Sequence, residues 1–324
     1  MSGLSTVFLV LGLGLLIAIP LAIVLVFKNM KRPPEWYYNQ AIDFYQARDF
    51  EKAIQHLEKA AALSPEFSNV YYNLGLIYQQ KGESELAQGY FETVLQLKPD
   101  DLDAQYNLAL LHYEAGQLDA ALNLLSSAVE THPNDTDCYY TMGLIHEARK
   151  DNAKAMECYL KAVENDPHNI NAYLFLGKLQ DQTMQLDEAV ASFKKVLEVD
   201  PNNLDANYDL SITLAKKGDW DGTIHYSKRT IETDPNYAKA YNQLGLAHYC
   251  KEEVTPAITY YQKAIEIDPS YANAYNNLGY AYQKANRLPE AIASFQHYLD
   301  HGADSEEAAE IREHIDLLQK KMLE

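Results

Sequence analysis

The sequence predicts an all-α solenoid: eight helix–turn–helix repeats of 34 residues, closed by a capping helix and preceded by one transmembrane helix. Three observations carry this expectation. Seven prolines, Pro65, Pro99, Pro133, Pro167, Pro201, Pro235 and Pro269, follow one another every 34 residues without an insertion, and a fixed period of this length marks stacked supersecondary units. Between them, apolar residues recur at spacings of three and four over two runs split by a polar turn, the pattern of two antiparallel helices. Ahead of the repeats, residues 7–27 read VFLVLGLGLLIAIPLAIVLVF, with no charge.

Taken in chain order, residues 1–6 form a short tip and residues 7–27 the predicted transmembrane helix, about 30 Å long at the α-helical rise and so matched to a bilayer's hydrocarbon core. Pro20 falls inside the span, where membrane helices tolerate it. A cleaved signal peptide is the competing reading, but MSGLST lacks a basic side chain and no small-residue cleavage site follows the apolar run. Residues 28–33 form a basic linker carrying Lys28, Lys31 and Arg32. Basic residues on that flank place it, and the repeats beyond, on the cytoplasmic side. The sequon at Asn134 would matter only for a lumenal chain.

Residues 34–305 hold the eight repeats, starting at Pro34, Ser68, Leu102, Thr136, Ile170, Leu204, Ala238 and Ala272. Gly82, Gly116 and Gly218 stand in the turn, where a left-handed residue closes a helix at little steric cost. Each closing proline disfavours helix in the residue before it, while Asp101, Asn134, Asn169 or Asn203 can cap the next helix. The eighth place is always small: Ala41, Gly75, Ala109, Gly143, Gly177, Ser211, Gly245 and Gly279. The twentieth is alanine in seven repeats and Thr223 in the sixth. Bulky Tyr71, Tyr139, Tyr173, Tyr241 and Tyr275 on first helices, with Phe91, Tyr159, Phe193, Tyr261 and Phe295 on second helices, supply the complementary knobs. The sixth repeat departs by placing Ser211, Thr223, Ser227 and Thr230 at core places. Residues 306–324 carry Ala309, Ile311, Ile315, Leu318 and Met322 at helical spacing, the signature of a helix that caps the last open face or docks on a partner.

This pattern resembles the tetratricopeptide repeat family over about five-sixths of the chain. The resemblance implies a right-handed superhelix whose first helices line a concave groove, and a groove that binds extended peptides or partner helices. On that geometry the sixth place points into the groove, with Asn39, Asn73, Asn107, Thr141, Phe175, Asp209, Gln243 and Asn277. This row is similar to the asparagine ladder of the repeat arm of O-linked N-acetylglucosamine transferase, interrupted by Thr141 and Phe175. The fifth place beside it reads Tyr38, Tyr72, Tyr106, Tyr140, Leu174, Tyr208, Asn242 and Asn276. A carboxamide offers one acceptor and two donors to a ligand main chain, and tyrosine offers area with a polar tip. Packing between neighbouring first helices is the competing reading of the tyrosines. Glu35, Asp103, Asp137 and Asp205, with Glu114, Glu147 and Asp181, would make the inner face acidic. The groove candidates are therefore Tyr38, Asn39, Tyr72, Asn73, Tyr106, Asn107, Asp137, Tyr140, Tyr208, Asp209, Gln243, Asn276 and Asn277. The cations of the family's carboxylate-clamping members are missing from the matching places, which hold Glu35, Asn39, Asn73, Asp103 and Asn107.

Charge narrows the partners. The 324 residues carry a formal net charge of −19, from 27 Lys and Arg against 46 Asp and Glu. The first 32 residues contain three of those cations and no acid, so the remainder holds 24 basic against 46 acidic residues, a formal −22. Such a field opposes phosphate backbones and argues against nucleic acid, while it favours a basic or neutral protein or peptide ligand. The three cysteines form no CxxC pair, so neither a disulfide framework nor a thiolate metal cluster is expected; they read as small buried apolar residues. The ten histidines form no HExxH or triad-like constellation. No enzymatic activity and no cofactor are expected. The functional expectation is a membrane-anchored interaction scaffold that recruits partners or supports complex assembly. The alternative is a self-associating coat on a membrane.

Overall fold

The computed structural model describes residues 32–301 and 305–323. The apolar run 7–27 and its basic flank up to residue 31 lie outside the described residues, so the transmembrane expectation falls there too. Among the described residues no helix is long and apolar enough to cross a membrane. All regular structure among them is α-helical. The chain divides into two compact units, Met1–Pro133 and Asn134–Glu324.

The first unit contains three helix pairs: α1 (Pro34–Gln46) with α2 (Phe50–Leu63), α3 (Ser68–Gln80) with α4 (Ser84–Leu97), and α5 (Leu102–Glu114) with α6 (Leu118–Thr131). The second unit contains five pairs and a final helix. They are α7 (Thr136–Ala148) with α8 (Asn152–Asn165), α9 (Ile170–Gln182) with α10 (Leu186–Val199), α11 (Leu204–Lys216) with α12 (Trp220–Thr233), α13 (Ala238–Cys250) with α14 (Val254–Ile267), α15 (Ala272–Lys284) with α16 (Leu288–Asp300), and α17 (Ser305–Leu323). Each first helix packs on its own second helix, and each second helix packs on the first helix of the following repeat within its unit. In the second unit successive first helices, α9 with α11, α11 with α13 and α13 with α15, also approach one another more closely than successive second helices do. The first helices thus form the inner side of that unit's stack.

The turns obey one backbone rule. The residue at the fifteenth place of every repeat is left-handed: Gly82, Gly116 and Gly218 at φ near 75°, and Arg48, Lys150, Met184, Glu252 and Asn286 at φ between 58° and 65°. Three glycines were legible in sequence; the five other residues adopt the same strained turn because the helix pairing on either side dictates it. A non-glycine residue in this region costs about 1–2 kcal/mol, partly offset by the greater unfolded-state freedom of glycine. Met184 is 66% exposed, so Met184→Gly should give up little packing. It is expected to raise stability by about 0.5–1 kcal/mol, readable as a shifted urea midpoint.

At the helix starts, Asp101, Asn169 and Asn203 accept the backbone N–H three residues on, at 3.0, 2.8 and 3.0 Å. Asn134 does not cap α7; its neighbour Asp135 does, accepting from the Cys138 N–H at 2.8 Å. A cap must occupy the residue directly before the first helical turn, and Asp135 occupies it.

Small and large side chains between the paired helices follow a rule of complementary size. A Cβ added at Gly75 would meet the Phe91 ring at 2.6 Å, and one at Gly177 the Phe193 ring at 2.8 Å. Gly143 faces Tyr159, Gly245 faces Tyr261 and Gly279 faces Phe295 in the same way. All five rings are at most 1% exposed. Where the eighth place is alanine, at Ala41 and Ala109, the residue sixteen places on is Leu57 or Leu125, also fully buried. The ring of Tyr159 keeps its hydroxyl satisfied by donating to Glu147 Oε2 at 2.8 Å.

The sixth repeat breaks this rule with a serine at both places. Ser211, Thr223, Ser227 and Thr230 are all 0% exposed. Ser211, Thr223 and Thr230 donate to backbone carbonyls, whereas the Ser227 hydroxyl is buried with no hydrogen-bond partner. An unsatisfied buried hydroxyl costs about 1–3 kcal/mol. Amide hydrogen exchange across residues 210–230 is therefore expected to run roughly tenfold faster than in the flanking repeats. Equal or slower exchange would remove this reading.

α17 closes the second unit. Ala308, Ile311, Ile315 and Leu318 are buried, the last three within one cluster with Leu278, Tyr282, Leu288 and Phe295, and His314 Nε2 lies 2.7 Å from Gln283 Oε1. The inward stripe thus starts at Ala308 rather than Ala309, and Met322 is 48% exposed. The cysteine expectation also needs correction. Cys138 and Cys158 are buried fillers, but Cys250 is exposed at the end of α13. Burial raises the Cys158 thiol to about 11.

Candidate functional site: the first-helix face

In the first unit the fifth and sixth places of neighbouring repeats meet. Asn73 Nδ2 donates to the Tyr38 hydroxyl at 3.1 Å and to the Asn69 carbonyl at 2.8 Å. One repeat on, Asn107 Nδ2 donates to the Tyr72 hydroxyl at 3.2 Å and to the Asp103 carbonyl at 2.8 Å. The bond to a backbone carbonyl fixes which end of each amide is nitrogen, since a carbonyl only accepts. Both hydrogens of each amide are therefore engaged within the protein. Neither amide has a further N–H to offer, and each exposes only the acceptor Oδ1 to a new partner.

Beside this seam lies a concave pocket of about 350 Å³ lined by Tyr38, Ser68, Asn69, Tyr72, Asn73, Val94, Asp101 and Asp103. Asp101 gives one oxygen to the α5 cap. Burial, and then the nearby Asp103 charge, push the Tyr72 hydroxyl above its ordinary range. The pocket is acidic and rich in acceptors. Of the predicted candidates the structure brings Tyr38, Tyr72 and Asn73 together here, with Asn107 bonded to the second tyrosine. Asn39 is exposed on α1, and Tyr106 is half-buried on α5. The sequence reading missed Asn69 and Asp101. The signal for Asp101 was its capping place, which fixes it beside the start of α5.

In the second unit the rows are put to other uses. Tyr140 packs against Tyr159 and Phe175, with ring centroids 6.1 and 5.7 Å apart, and Tyr208 meets Tyr237 edge-on at 5.0 Å. Asp137 is exposed at the start of α7, its carboxyl raised by desolvation and by Asp135 and Asp166. Asp209 lines a smaller pocket of about 210 Å³ with Lys178, Asp181, Gln182, Phe193 and Ile212. Its carboxylate lies 3.5 Å from Lys178 Nζ. Burial raises the Asp209 carboxyl, against the pull of that lysine. Asp181 meanwhile accepts from Thr213 Oγ1 at 2.9 Å and from Lys216 Nζ at 2.5 Å. The lysines Lys178 and Lys216 were not among the predicted residues. Farther along, Asn277 Nδ2 donates to Asn242 Oδ1 at 2.9 Å. Asn276 keeps a buried Oδ1 without a partner. Gln243, expected to face a ligand, is only 8% exposed, because its place lies in the contact between neighbouring first helices. Among the described residues no group of three or more His, Cys, Asp or Glu is arranged to hold a metal.

Four tetratricopeptide repeat models match the chain, over residues 80–145, over 43–82 and 251–286, over 136–169 and over 170–203. Together they span more than half of it. The chain belongs to the tetratricopeptide repeat family. Tetratricopeptide structures similar to it include YrrB, described as a TPR protein with an unusual peptide-binding site. That structure is 23% identical, with 57% of this chain and 95% of that one covered at a TM-score of 0.54. The C-terminal part of a TPR repeat-containing protein from Cytophaga hutchinsonii is 16% identical, with 74% and 98% covered and a TM-score of 0.62. A tetratricopeptide repeat protein from Parabacteroides merdae is 18% identical, with 78% and 98% covered and a TM-score of 0.53. At these identities the likeness establishes the tetratricopeptide fold. No curated protein matches the chain.

Proposed function

We propose that this tetratricopeptide repeat protein is an interaction scaffold, anchored in a membrane by residues 7–27 with its repeats in the cytoplasm, that docks extended protein segments rich in hydrogen-bond donors. The observation that carries the ligand class is the engagement of both amide hydrogens on Asn73 and on Asn107. A face left with amide carbonyls and the carboxylates of Asp101 and Asp103 presents acceptors. Its complement is a ligand that brings N–H groups, from a main-chain edge or from lysine and arginine. A formal charge of −22 beyond residue 32 steers such a ligand in. The groove residues proposed to contact it are Tyr38, Tyr72, Asn73 and Asn107.

The test uses the full chain in detergent and fluorescein-labelled peptides followed by anisotropy. A lysine-rich extended peptide is expected to bind, and its glutamate-rich counterpart is not. Asp103→Asn, which leaves the α5 cap at Asp101 untouched, is expected to weaken the basic peptide about fivefold. Equal affinity for both peptides, or no effect of Asp103→Asn, would sink the proposal. Alkaline extraction of membranes from the expressing cells tests the anchor separately: the chain should stay with the lipid, and a variant lacking residues 7–27 should be released.

A further inference from the structure

Six of the eight repeats carry tyrosine at the fourth place: Tyr37, Tyr71, Tyr139, Tyr173, Tyr241 and Tyr275. The third repeat carries Gln105 there, and the sixth carries the shorter Asn207. That short side chain is 1% exposed and turns back on the chain, its Nδ2 donating to the Pro201 carbonyl at 3.1 Å and the Asn203 carbonyl at 2.9 Å. No ring fills the space beside it. A pocket of about 340 Å³ opens there, between α10, the Pro201 turn and α12. Leu197, Pro201 and Tyr226 give it apolar walls, and Lys194, His225 and Arg229 line it as well.

The cations in this pocket differ from their counterparts. At the place of Arg229, three other repeats hold a lysine that bonds a glutamate three residues on: Lys161 to Glu164 at 2.9 Å, Lys195 to Glu198 at 2.8 Å and Lys263 to Glu266 at 2.8 Å. Arg229 turns the other way. Its Nη2 donates to the Pro201 carbonyl at 2.9 Å and to Asn202 Oδ1 at 3.2 Å, both neutral acceptors, so the position of the guanidinium is fixed while its charge stays uncompensated. Glu198 also lines the pocket, with its Oε2 paired to Lys195 at 2.8 Å, so the lining sets two cations, Lys194 and Arg229, against one carboxylate. A positively charged cavity in a chain of net charge −19 is a local inversion of the field.

We infer that this cavity is a second docking site, formed mainly by the second helices α10 and α12 and separate from the first-helix face, for an acidic protein segment carrying an aromatic side chain beside a carboxylate. The ring takes the space beside Asn207, at the place where six of the other seven repeats carry tyrosine, against Leu197, Pro201 and Tyr226. The carboxylate meets Arg229 and Lys194, whose fork and ammonium match it in charge. The volume sits at the lower end of the roughly 300–1,000 Å³ typical of ligand pockets and suits one side chain with its flanks. This site needs a ligand of the opposite sign to the first-helix face, so the two proposals stand or fall separately.

The experiment measures anisotropy of labelled Glu-Tyr-Glu, Gln-Tyr-Gln and Glu-Ala-Glu peptides, each in the same neutral flanks, with the full chain. The first is expected to bind, and either change to it should weaken binding about tenfold. Arg229→Gln and Lys194→Gln should each weaken it about fivefold. Asn207→Tyr should abolish binding by restoring the missing ring, while the circular-dichroism melt stays at or above that of the parent, which separates a filled pocket from a damaged fold. Asp103→Asn should leave this binding unchanged. No binding up to about 1 mM peptide, full affinity in the Asn207→Tyr variant, or displacement of the peptide by equimolar inorganic pyrophosphate would each overturn the assignment.

Discussion

Phe193→Ala is expected to cost about 3–5 kcal/mol, because the ring is fully buried and fills the notch left by Gly177. The sharper form of this prediction is a double-mutant cycle. Gly177→Ala alone should cost about 1–3 kcal/mol, since its Cβ would stand 2.8 Å from the Phe193 ring. Phe193→Leu alone should leave a cavity. Made together, the two changes reproduce the alanine–leucine pairs Ala41 with Leu57 and Ala109 with Leu125. The double variant should recover most of the loss, with a coupling of about 1–3 kcal/mol. Chemical denaturation of the two singles and the double measures it. Simple additivity would show that the size rule across α9 and α10 carries no energetic weight.

Ser211→Gly combined with Ser227→Phe is expected to stabilise the sixth repeat by about 2–4 kcal/mol. The phenylalanine adds a buried ring worth about 1.5–3 kcal/mol, and the exchange removes the one hydroxyl at this contact that has no partner, Ser227 Oγ. Ser227→Phe by itself should destabilise, because the Ser211 Cβ would crowd the new ring as an added Cβ crowds Phe91 at Gly75. Hydrogen exchange across α11 and α12 reads the effect locally, which matters because repeat arrays lose two-state behaviour. If the double variant is no more protected than Ser227→Phe alone, the paired design is refuted.

Much of this fold could be read before any coordinate. Pro65 to Pro269 set the period, and Gly75, Gly143, Gly177, Gly245 and Gly279 marked the close approaches, because backbone proximity demands a missing Cβ and nothing else does so as cheaply. What escaped was any rule enforced by context. Arg48, Lys150, Met184, Glu252 and Asn286 adopt left-handed φ although their chemistry does not ask for it; the surrounding helices impose the turn. Pairing of glycine with ring and alanine with leucine was also present in the letters, sixteen places apart, but it becomes a rule only when the two helices are seen to touch. The candidate site was less legible. Asparagine advertises both donors and acceptors in sequence, and only geometry reveals that Asn73 and Asn107 have already given their hydrogens to Tyr38, Tyr72 and two backbone carbonyls. Gln243 and Asn242 followed the same periodicity yet ended up buried, since the spacing of a place along the repeat does not say how tightly the neighbouring helix covers it.

The amide bridges of the first unit also bear on how quickly a visitor could be accommodated. Each one fastens an asparagine at two points, to its own helix and to the repeat before it, so these side chains are immobilised in advance and lose little rotational freedom when something lands on them. Affinity gained in this way grows with the number of fastened rungs a guest can span rather than with the area it covers. A short guest would come and go rapidly, and a longer one crossing both rungs would stay disproportionately longer.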